Sequence, residues 1–286
     1  MKEKVLVFGA GGMLASALRP LLKEKYAVVA YTHAEADIYD EKMILELVKQ
    51  EKPQWVINLA AYTDVDGCEK NVDLAFRVNA EGVRVVAQAA KGVKACFVQL
   101  STDFIFDGTK ASPYLEEDVP NPQSVYARSK YEGERFAFHI YPEGLLLVRT
   151  SWLYGAHGKN FVDTILKLAR EKGELRVVSD QRGRPTYTCD LAQAVVALMG
   201  AQAKGIVHFA NRGETSWCDF AKAIVRSAAL KQVAVHPITS AELNRPATRP
   251  SYSVLSTEKY EKLTGKNIRH WQETLEEYLS HGSPVS

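Results

Sequence analysis

The sequence predicts an α/β protein, with a Rossmann-type doubly wound parallel sheet and a smaller carboxy-terminal domain. Two observations indicate this class: short apolar runs alternate with segments of helical periodicity, and a glycine-rich turn follows the first run. The 286 residues suffice for one large or two modest domains. We expect a nucleotide-binding domain over residues 1–150 and a mainly substrate-binding domain over residues 151–286, with some later segments returning to the first domain.

Each predicted strand of the first domain is a short apolar run, as in parallel sheets that are covered on both faces. The runs are Lys4–Phe8, Ala27–Tyr31, Gln54–Ala60, Ala95–Leu100 and Leu145–Thr150. Between them, apolar residues recur every three or four positions, which indicates helices. These helices are Met13–Lys25, Asp40–Glu51, with Asp40 as N-cap, and Val72–Lys91.

Beyond Thr150 the alternation is less regular. The predicted elements are helices at Phe161–Glu171, Cys189–Met199, Ser216–Ala229 and Trp271–Leu279, and a strand at Ile206–Ala210. Two loops carry both proline and arginine, Gln181–Thr186 and Asn244–Ser251. Basic residues outnumber acidic ones in this half, and guanidinium groups match phosphate geometry. The candidate phosphate contacts are Arg182, Arg184, Arg245 and Arg249; solvated loop arginines are the alternative.

The composition excludes several classes of protein. The chain has 36 Lys and Arg against 34 Asp and Glu, so its net charge of +2 gives no global field for holding nucleic acid or a membrane surface. No run approaches the ~20 apolar residues of a membrane span, and the start does not resemble a signal peptide. The four cysteines form no Cys-x-x-Cys pair. We expect a cytoplasmic protein.

The turn after the first strand reads Gly9-Ala10-Gly11-Gly12-Met13-Leu14-Ala15. Glycine permits a tight turn and a close phosphate, and the following helix offers free N–H groups to a pyrophosphate. A bare turn is the alternative, but the position between a strand and a helix favours NAD(P) binding. The second strand runs into Tyr31-Thr32-His33, and these residues do not decide between NAD and NADP.

Tyr126 and Lys130 lie four residues apart, so on a helix they share one face. A phenol has a pKa of about 10, and a nearby ammonium would lower it toward the range useful for proton transfer. An amphipathic pair on a solvated helix is the alternative.

Ser101-Thr102-Asp103 follows the fourth strand, at the sheet edge where open α/β proteins bind ligands. A hydroxyl there can bond a substrate oxygen whose charge changes in the reaction. A polar strand cap is the alternative.

Together these features resemble the extended short-chain dehydrogenase/reductase superfamily and, within it, the dTDP-4-dehydrorhamnose reductase family. The resemblance spans nearly the whole chain. The segments that carry it are Ala60–Asp66, Val78–Ala80, Ser101–Gly108, Tyr126–Lys130, Arg149–Gly155, Asn160–Val162, Asp180-Gln181, Gly183, Pro185-Thr186 and Arg249-Pro250-Ser251.

By this resemblance Tyr126 is the proton donor, Lys130 its electrostatic partner and Thr102 the group that orients the sugar carbonyl. The residues implied at the cofactor are Gly9, Gly11, Gly12, Met13, Leu14, Asp37, Ile38, Ala60, Ala61, Tyr62, Asn79, Leu100, Tyr126 and Lys130. Those implied at the substrate are Val65, Thr102, Asp103, Trp152, Arg182 and Arg249. Met13 and Leu100 depart from the residues that family members commonly carry, and no metal ligands are matched, so no metal is expected.

The resemblance implies a reduction by NADPH or NADH, with NADPH slightly favoured. Hydride adds to C4 of dTDP-4-dehydro-β-L-rhamnose, and Tyr126 protonates the new alkoxide. The product is dTDP-L-rhamnose, a donor for polysaccharides, and this is the last step of its biosynthesis. The implied partner is therefore a small nucleotide sugar, with neither nucleic acid nor membrane, and a homodimer is compatible.

Other functions of the same fold stay open at this point. Related 4,6-dehydratases carry Glu after Thr-Asp, whereas this chain has Phe104, which disfavours dehydration. Another nucleotide-sugar reductase or an epimerase is an alternative. A non-catalytic regulatory subunit, like the β subunit of methionine adenosyltransferase, is another, although Thr102, Tyr126 and Lys130 are all present.

Overall fold

The computed structural model describes residues 2–280. The strands are β1 Lys4–Phe8, β2 Ala27–Tyr31, β3 Trp55–Asn58, β4 Cys96–Thr102, β5 Leu145–Thr150, β6 Leu153–Tyr154, β7 Glu174–Val178, β8 Arg182–Gly183, β9 Thr186–Tyr187, β10 Gly205–His208, β11 Thr215–Ser216 and β12 Ala234–Ile238. The helices are α1 Met13–Lys25, α2 Glu41–Glu51, α3 Val65–Lys70, α4 Val72–Phe76, α5 Gly82–Gly92, α6 Val125–Ile140, α7 Phe161–Glu171, α8 Thr188–Gly200, α9 Trp217–Ser227, α10 Ser240–Leu243, α11 Glu258–Thr264 and α12 Trp271–Ser280. Within the described residues, none of these helices has both the length and the apolar character needed to cross a membrane.

Six strands form the central sheet in the order β10-β5-β4-β3-β1-β2, and every neighbouring pair is parallel. This doubly wound sheet confirms the predicted Rossmann-type class. The strand order reverses at β1, which lies between β2 and β3, so a crevice opens beyond the carboxyl ends of β1 and β3. β10 pairs with β5, so a segment beyond residue 150 takes part in the first sheet.

Both faces of the sheet are covered by helices. Val5 and Val7 of β1 pack in a cluster with α1 and α8, while Leu6 and Phe8 pack on the opposite face with α2 and α5. All four side chains are fully buried. Successive side chains of a strand point to opposite faces, so a strand buried on both faces is apolar throughout.

A smaller layer is built from α7, α9 and α12 around an aromatic core that includes Tyr154, Phe220 and Trp271. The parallel pair β7 and β12 lies beside it and was not predicted. In β7 the exposed side chains of Glu174 and Arg176 alternate with buried ones, so the run is not continuously apolar. The sequence signal for this strand was correspondingly weak.

The helix predicted at Val72–Lys91 is interrupted. A π-helical turn at Arg77–Glu81 separates α4 from α5, and α3 precedes them. Such turns often occur at functional sites, and this one carries Asn79. β3 ends at Asn58, two residues earlier than predicted, because the following segment leaves the sheet. β4 continues to Thr102 because it pairs with β5 through Thr150.

Candidate active site

The glycine loop connects β1 to α1 at the crevice. Gly9 adopts a φ of +79°, and a Cβ at this position would lie 2.5 Å from the nitrogen of Ala60. The Gly12 N–H donates to the Gly9 carbonyl at 3.1 Å and closes the turn. No side chain caps α1, and its first turn holds no acidic residue. The helix therefore presents its amino-terminal N–H groups and positive dipole end to an anion.

Predicted cofactor residues from three loops line one cavity of about 280 Å³. They follow β1, β2 and β3, and they are Gly9, Gly11, Gly12, Asp37, Ile38, Ala60 and Ala61. Asp37 lines this cavity, and its Oδ2 lies 3.3 Å from His33 Nε2. An ionised carboxylate only accepts hydrogen bonds. The cavity therefore suits a ligand that donates a hydrogen bond there, such as an adenosine group.

The residues that begin α1 contribute to the site in different ways. Leu14 packs in the core against the sheet, so only its backbone N–H is placed to meet a pyrophosphate. Met13 is partly exposed and lies beside Gly158, in the loop after β6.

Asn79, predicted to bind the cofactor, is 1% exposed and supports the site from behind. Its Nδ2 donates to the Tyr62 carbonyl and to Ser129 Oγ, both at 3.0 Å, and its Oδ1 accepts from the Tyr62 N–H at 2.8 Å. The side-chain amide is fully used within the protein. Asn79 thereby ties the loop after β3 to α6, and its contact with the cofactor stays a prediction.

α6 packs tightly on the π-helical turn at Gly133, where a Cβ would lie 2.2 Å from the Asn79 carbonyl oxygen. We expect Gly133→Ala to lower the free energy of unfolding by ~1–3 kcal/mol, the usual cost of overpacking, in urea denaturation. Gly92→Ala is the control, because nothing lies within 4 Å of its new methyl group. Equal stability of the two variants would contradict this packing.

Tyr126 and Lys130 lie one helical turn apart near the carboxyl end of β4. Ser124 caps α6 by accepting a backbone N–H at 3.2 Å, which fixes where the helix begins. Lys130 is almost fully buried, and its Nζ donates to the Leu100 carbonyl of β4 at 2.8 Å. This bond anchors the helix face that carries both side chains to the sheet.

Burial sets the protonation of these groups. It raises the pKa of the Tyr126 phenol above its ordinary value, and the hydrogen bond with the Thr102 hydroxyl opposes that shift. It lowers the pKa of the Lys130 ammonium to about 8, with Glu134 opposing. Lys130 was predicted to lower the Tyr126 pKa; in the structure its ammonium bonds Leu100, and Thr102 has that effect instead.

Asp103, predicted to face the substrate, is 2% exposed. Its Oδ2 accepts from Ser253 Oγ at 2.5 Å, and its Oδ1 accepts from Thr102 Oγ1 at 3.1 Å. The 3-10 turn Asp103–Ile105 begins at this residue, and the side chain is enclosed among protein groups. The structure therefore makes the carboxyl a support for Thr102 and for the carboxy-terminal segment, rather than an open contact surface.

Burial raises the pKa of Asp103 from its ordinary 3.8 to about 7. Between these values the native state keeps a proton that the unfolded state releases, so this group reduces stability as pH rises, by up to about 1.4 kcal/mol per pH unit. We expect Asp103→Asn, which cannot titrate, to gain stability relative to wild type between pH 4 and pH 7. Urea denaturation across this range measures the difference, and a pH-independent difference would contradict the shift.

A second cavity, of about 830 Å³, lies beside Phe104. Its wall is largely apolar, with Phe104, Phe161, Ile165, Leu168, Leu175, Val177, Val178, Trp217 and Leu243. Its charged members are Asp66, Lys172, Glu174, Arg176, Arg245 and Arg249. Flat apolar surfaces beside guanidinium groups suit a ligand with a ring at one end and phosphate at the other.

Only two of the four candidate arginines line the larger cavity. Arg245 and Arg249 line the larger cavity. Arg182 does not; its exposed side chain pairs with Glu214 at 2.7 Å, because the short antiparallel pair β8 and β11 turns it outward. The contact of Arg182 with the substrate stays a prediction, which this placement does not favour. Arg184 donates to a backbone carbonyl of the carboxy-terminal segment.

Trp152 lies behind the cavity wall. Its ring stacks on that of Trp217 with centroids 3.6 Å apart, and Trp217 itself lines the cavity. Val65, also predicted at the substrate, begins α3 next to Asp66 and is partly exposed.

Three residues that support the site were not predicted from the sequence. Asp66 lies within a motif segment, but nothing in the sequence joined it to the late arginines. Trp217 begins α9, and Ser253 lies in an irregular segment. Their roles arise from contacts between distant parts of the chain. Within residues 2–280, no group of three or more His, Cys, Asp and Glu side chains is arranged to hold a metal ion.

Comparison with known proteins gives consistent matches over almost the full length. The model of the RmlD substrate binding domain family matches residues 2–283. The spore coat polysaccharide biosynthesis protein SpsK of Bacillus subtilis is 42% identical, with 98% of each chain covered. The dTDP-4-dehydrorhamnose reductase of Streptomyces griseus is 40% identical, over 96% of this chain and 93% of that one. The solved Bacillus anthracis dTDP-4-dehydrorhamnose reductase in complex with NADP is 38% identical, with a TM-score of 0.94, and the match covers 98% of this chain and 100% of that one.

Proposed function

Because the chain belongs to the RmlD substrate binding domain family, that of the dTDP-4-dehydrorhamnose reductases, we propose that it reduces the C4 keto group of dTDP-4-dehydro-β-L-rhamnose. The product is dTDP-L-rhamnose, and the reductant is NADPH or NADH. The observation that carries the proposal is the grouping of Tyr126, Lys130 and Thr102 at the carboxyl end of β4. Phe104 links this group to the larger cavity, because it lines that cavity and meets the Tyr126 ring edge-on at 5.9 Å.

The smaller cavity would hold the cofactor. Its glycines and the open amino terminus of α1 suit the pyrophosphate, and Asp37 suits the adenosine end. Leu100, near the end of β4, and Lys130, on α6, would meet the nicotinamide half. When bound, the reduced nicotinamide supplies the hydride for the carbonyl carbon.

The side chains supply the rest of the chemistry, which is transfer of a proton to the carbonyl oxygen. Tyr126 donates its proton to the carbonyl oxygen, so the ketone becomes an alcohol and the phenol becomes a phenolate that solvent reprotonates. The Tyr126 phenol is protonated at neutral pH, as a proton donor requires. Burial raises its pKa further, and the hydrogen bond with Thr102 opposes that rise. When the ketone binds, the Thr102 hydroxyl turns from Asp103 to donate a hydrogen bond to the same oxygen. Lys130 holds α6 against β4 and can donate to a ribose hydroxyl of the cofactor.

The larger cavity would hold the nucleotide sugar. Arg245 and Arg249 line this cavity and would contact the diphosphate, and the Phe161 and Trp217 rings would contact the base. The proposal is tested by following the absorbance of NADPH or NADH while dTDP-4-dehydro-β-L-rhamnose is added. We expect substrate-dependent oxidation, and none with dTDP-glucose, which lacks the keto group. Failure to oxidise either cofactor would reject the proposal and favour a regulatory role.

The Lys130 pKa of about 8 gives cofactor binding a pH dependence. Below this pH the ammonium can donate to a ribose hydroxyl; above it the amine loses its charge. We therefore expect the Kd for NADH, measured by fluorescence, to rise as pH increases through about 8. The Lys130→Gln variant should bind NADH more weakly at pH 7 and lose this rise. The same rise in both proteins would assign the dependence to another group.

A further inference from the structure

Asp66, at the start of α3, joins the first domain to the late arginine loop. Arg249 Nη1 donates to Asp66 Oδ1 at 3.1 Å, and Arg249 Nη2 donates to Oδ2 at 3.0 Å. The Ala247 N–H also donates to Oδ1, at 3.2 Å, and Arg245 Nη1 lies 3.6 Å from Oδ2. These contacts lower the pKa of Asp66, so its carboxylate is charged at neutral pH.

The pairing leaves one edge of the Arg249 guanidinium free. The Nη1–Nη2 edge faces Asp66, and the second Nη1 hydrogen goes to the Ala247 carbonyl at 3.0 Å. A guanidinium has five N–H groups, so the Nε hydrogen and one Nη2 hydrogen remain. Within residues 2–280 no hydrogen bond involves Arg249 Nε. This Nε–Nη2 edge can bind two phosphate oxygens side by side.

The pair lies at the wall of the larger cavity. Both side chains are about one-fifth exposed and both line that cavity. A bidentate Arg–carboxylate contact adds geometric specificity as well as energy. This one joins residues 183 positions apart and fixes the direction of the guanidinium. The ion pair therefore fixes the orientation of Arg249 at the cavity that we propose for the diphosphate.

We propose that Asp66 is a positioning residue for the diphosphate of the substrate. It holds the far edge of Arg249 so that the Nε–Nη2 edge faces the larger cavity, and it keeps Arg245 nearby. This inference rests on the proposed function only for the identity of the nucleotide sugar. The contact that it describes is between a guanidinium and a nucleoside diphosphate.

The test is calorimetric titration of dTDP into the full-length protein, which requires no turnover. Asp66→Asn keeps the shape but removes the charge that orients Arg249. We expect its Kd for dTDP to rise ~10-fold, the scale of one charge-assisted hydrogen bond. Arg249→Lys should show a similar rise, and the double variant should be no weaker than Arg249→Lys alone. Arg212→Gln is the matched control, because Arg212 also pairs with one carboxylate, that of Glu261, but does not line the cavity; it should bind dTDP like wild type.

Three results would overturn the inference: unchanged dTDP binding by Asp66→Asn, tighter binding, or a loss that adds in full to that of Arg249→Lys. If Asp66→Asn does not fold, Asp66→Glu, which keeps the charge but shifts the carboxylate, should weaken dTDP binding as well. In steady-state assays we expect the KM for the keto sugar to rise in Asp66→Asn while kcat stays within about twofold. A wild type that binds dTDP but does not reduce the keto sugar would reject the proposed function alone.

Discussion

Replacing Tyr126 by phenylalanine is expected to reduce kcat by at least ~100-fold, the low end for loss of a general acid. The variant keeps the ring and its edge contact with Phe104 but loses the proton that the carbonyl oxygen must receive. Affinity for NADPH should stay near wild type, because Lys130 and the glycine loop are untouched. The measurements are steady-state turnover with the keto sugar and fluorescence titration with NADPH.

Tyr131→Phe is a matched control for this variant. Tyr131 lies on the same helix, but its side chain packs against the cluster that contains Ile105, Phe106 and Leu255. We expect turnover close to wild type. Turnover of Tyr126→Phe near that of Tyr131→Phe would remove Tyr126 from its role as proton donor.

Gly9→Ala should have the largest effect on cofactor binding. The new Cβ would lie 2.5 Å from the nitrogen of Ala60 and 2.7 Å from the carbonyl carbon of Leu59, and both are backbone atoms of the loop after β3. The positive φ adds a cost of ~1–2 kcal/mol for any residue with a side chain. We expect a lower melting temperature and an affinity for NADPH reduced at least ~10-fold. A displaced loop need cost only about 1.4 kcal/mol of binding free energy to produce a tenfold loss of affinity.

Gly205→Ala separates the effect of a steric clash from the effect of backbone strain. Gly205 has a φ of +76°, close to that of Gly9, but nothing lies within 4 Å of the position that a methyl group would take there. This variant should lose some stability from strain and keep its affinity for NADPH. If both variants bind NADPH like wild type, the close approach of the two loops does not shape the cofactor site.

Most of the first sheet could be predicted from the sequence, because strands buried on both faces have continuous apolar runs. The bounds of β1, β2 and β5 agree with the prediction to the residue. The glycine loop and the pair Tyr126 and Lys130 were also predictable, because each is a local pattern whose geometry follows from one turn or one helix.

Contacts between distant segments could not be predicted from the sequence. The amide of Asn79 and the carboxyl of Asp103 are polar groups in motifs, and a motif does not say whether a side chain is buried. Their hydrogen bonds to Ser129 and Ser253, which come from other segments, decide this. The outward direction of Arg182 was hidden for the same reason, since the strand pairing that turns it toward solvent joins residues 32 or more positions apart.

The most direct test of the account is one reaction with NADPH that carries deuterium at the transferred position. The protein is incubated with dTDP-4-dehydro-β-L-rhamnose, and the sugar nucleotide product is identified by NMR and mass spectrometry. The account predicts dTDP-L-rhamnose with one deuterium at C4, formed in equal amount to the oxidised cofactor. Absence of deuterium at C4, the opposite configuration at C4, or no product would contradict it.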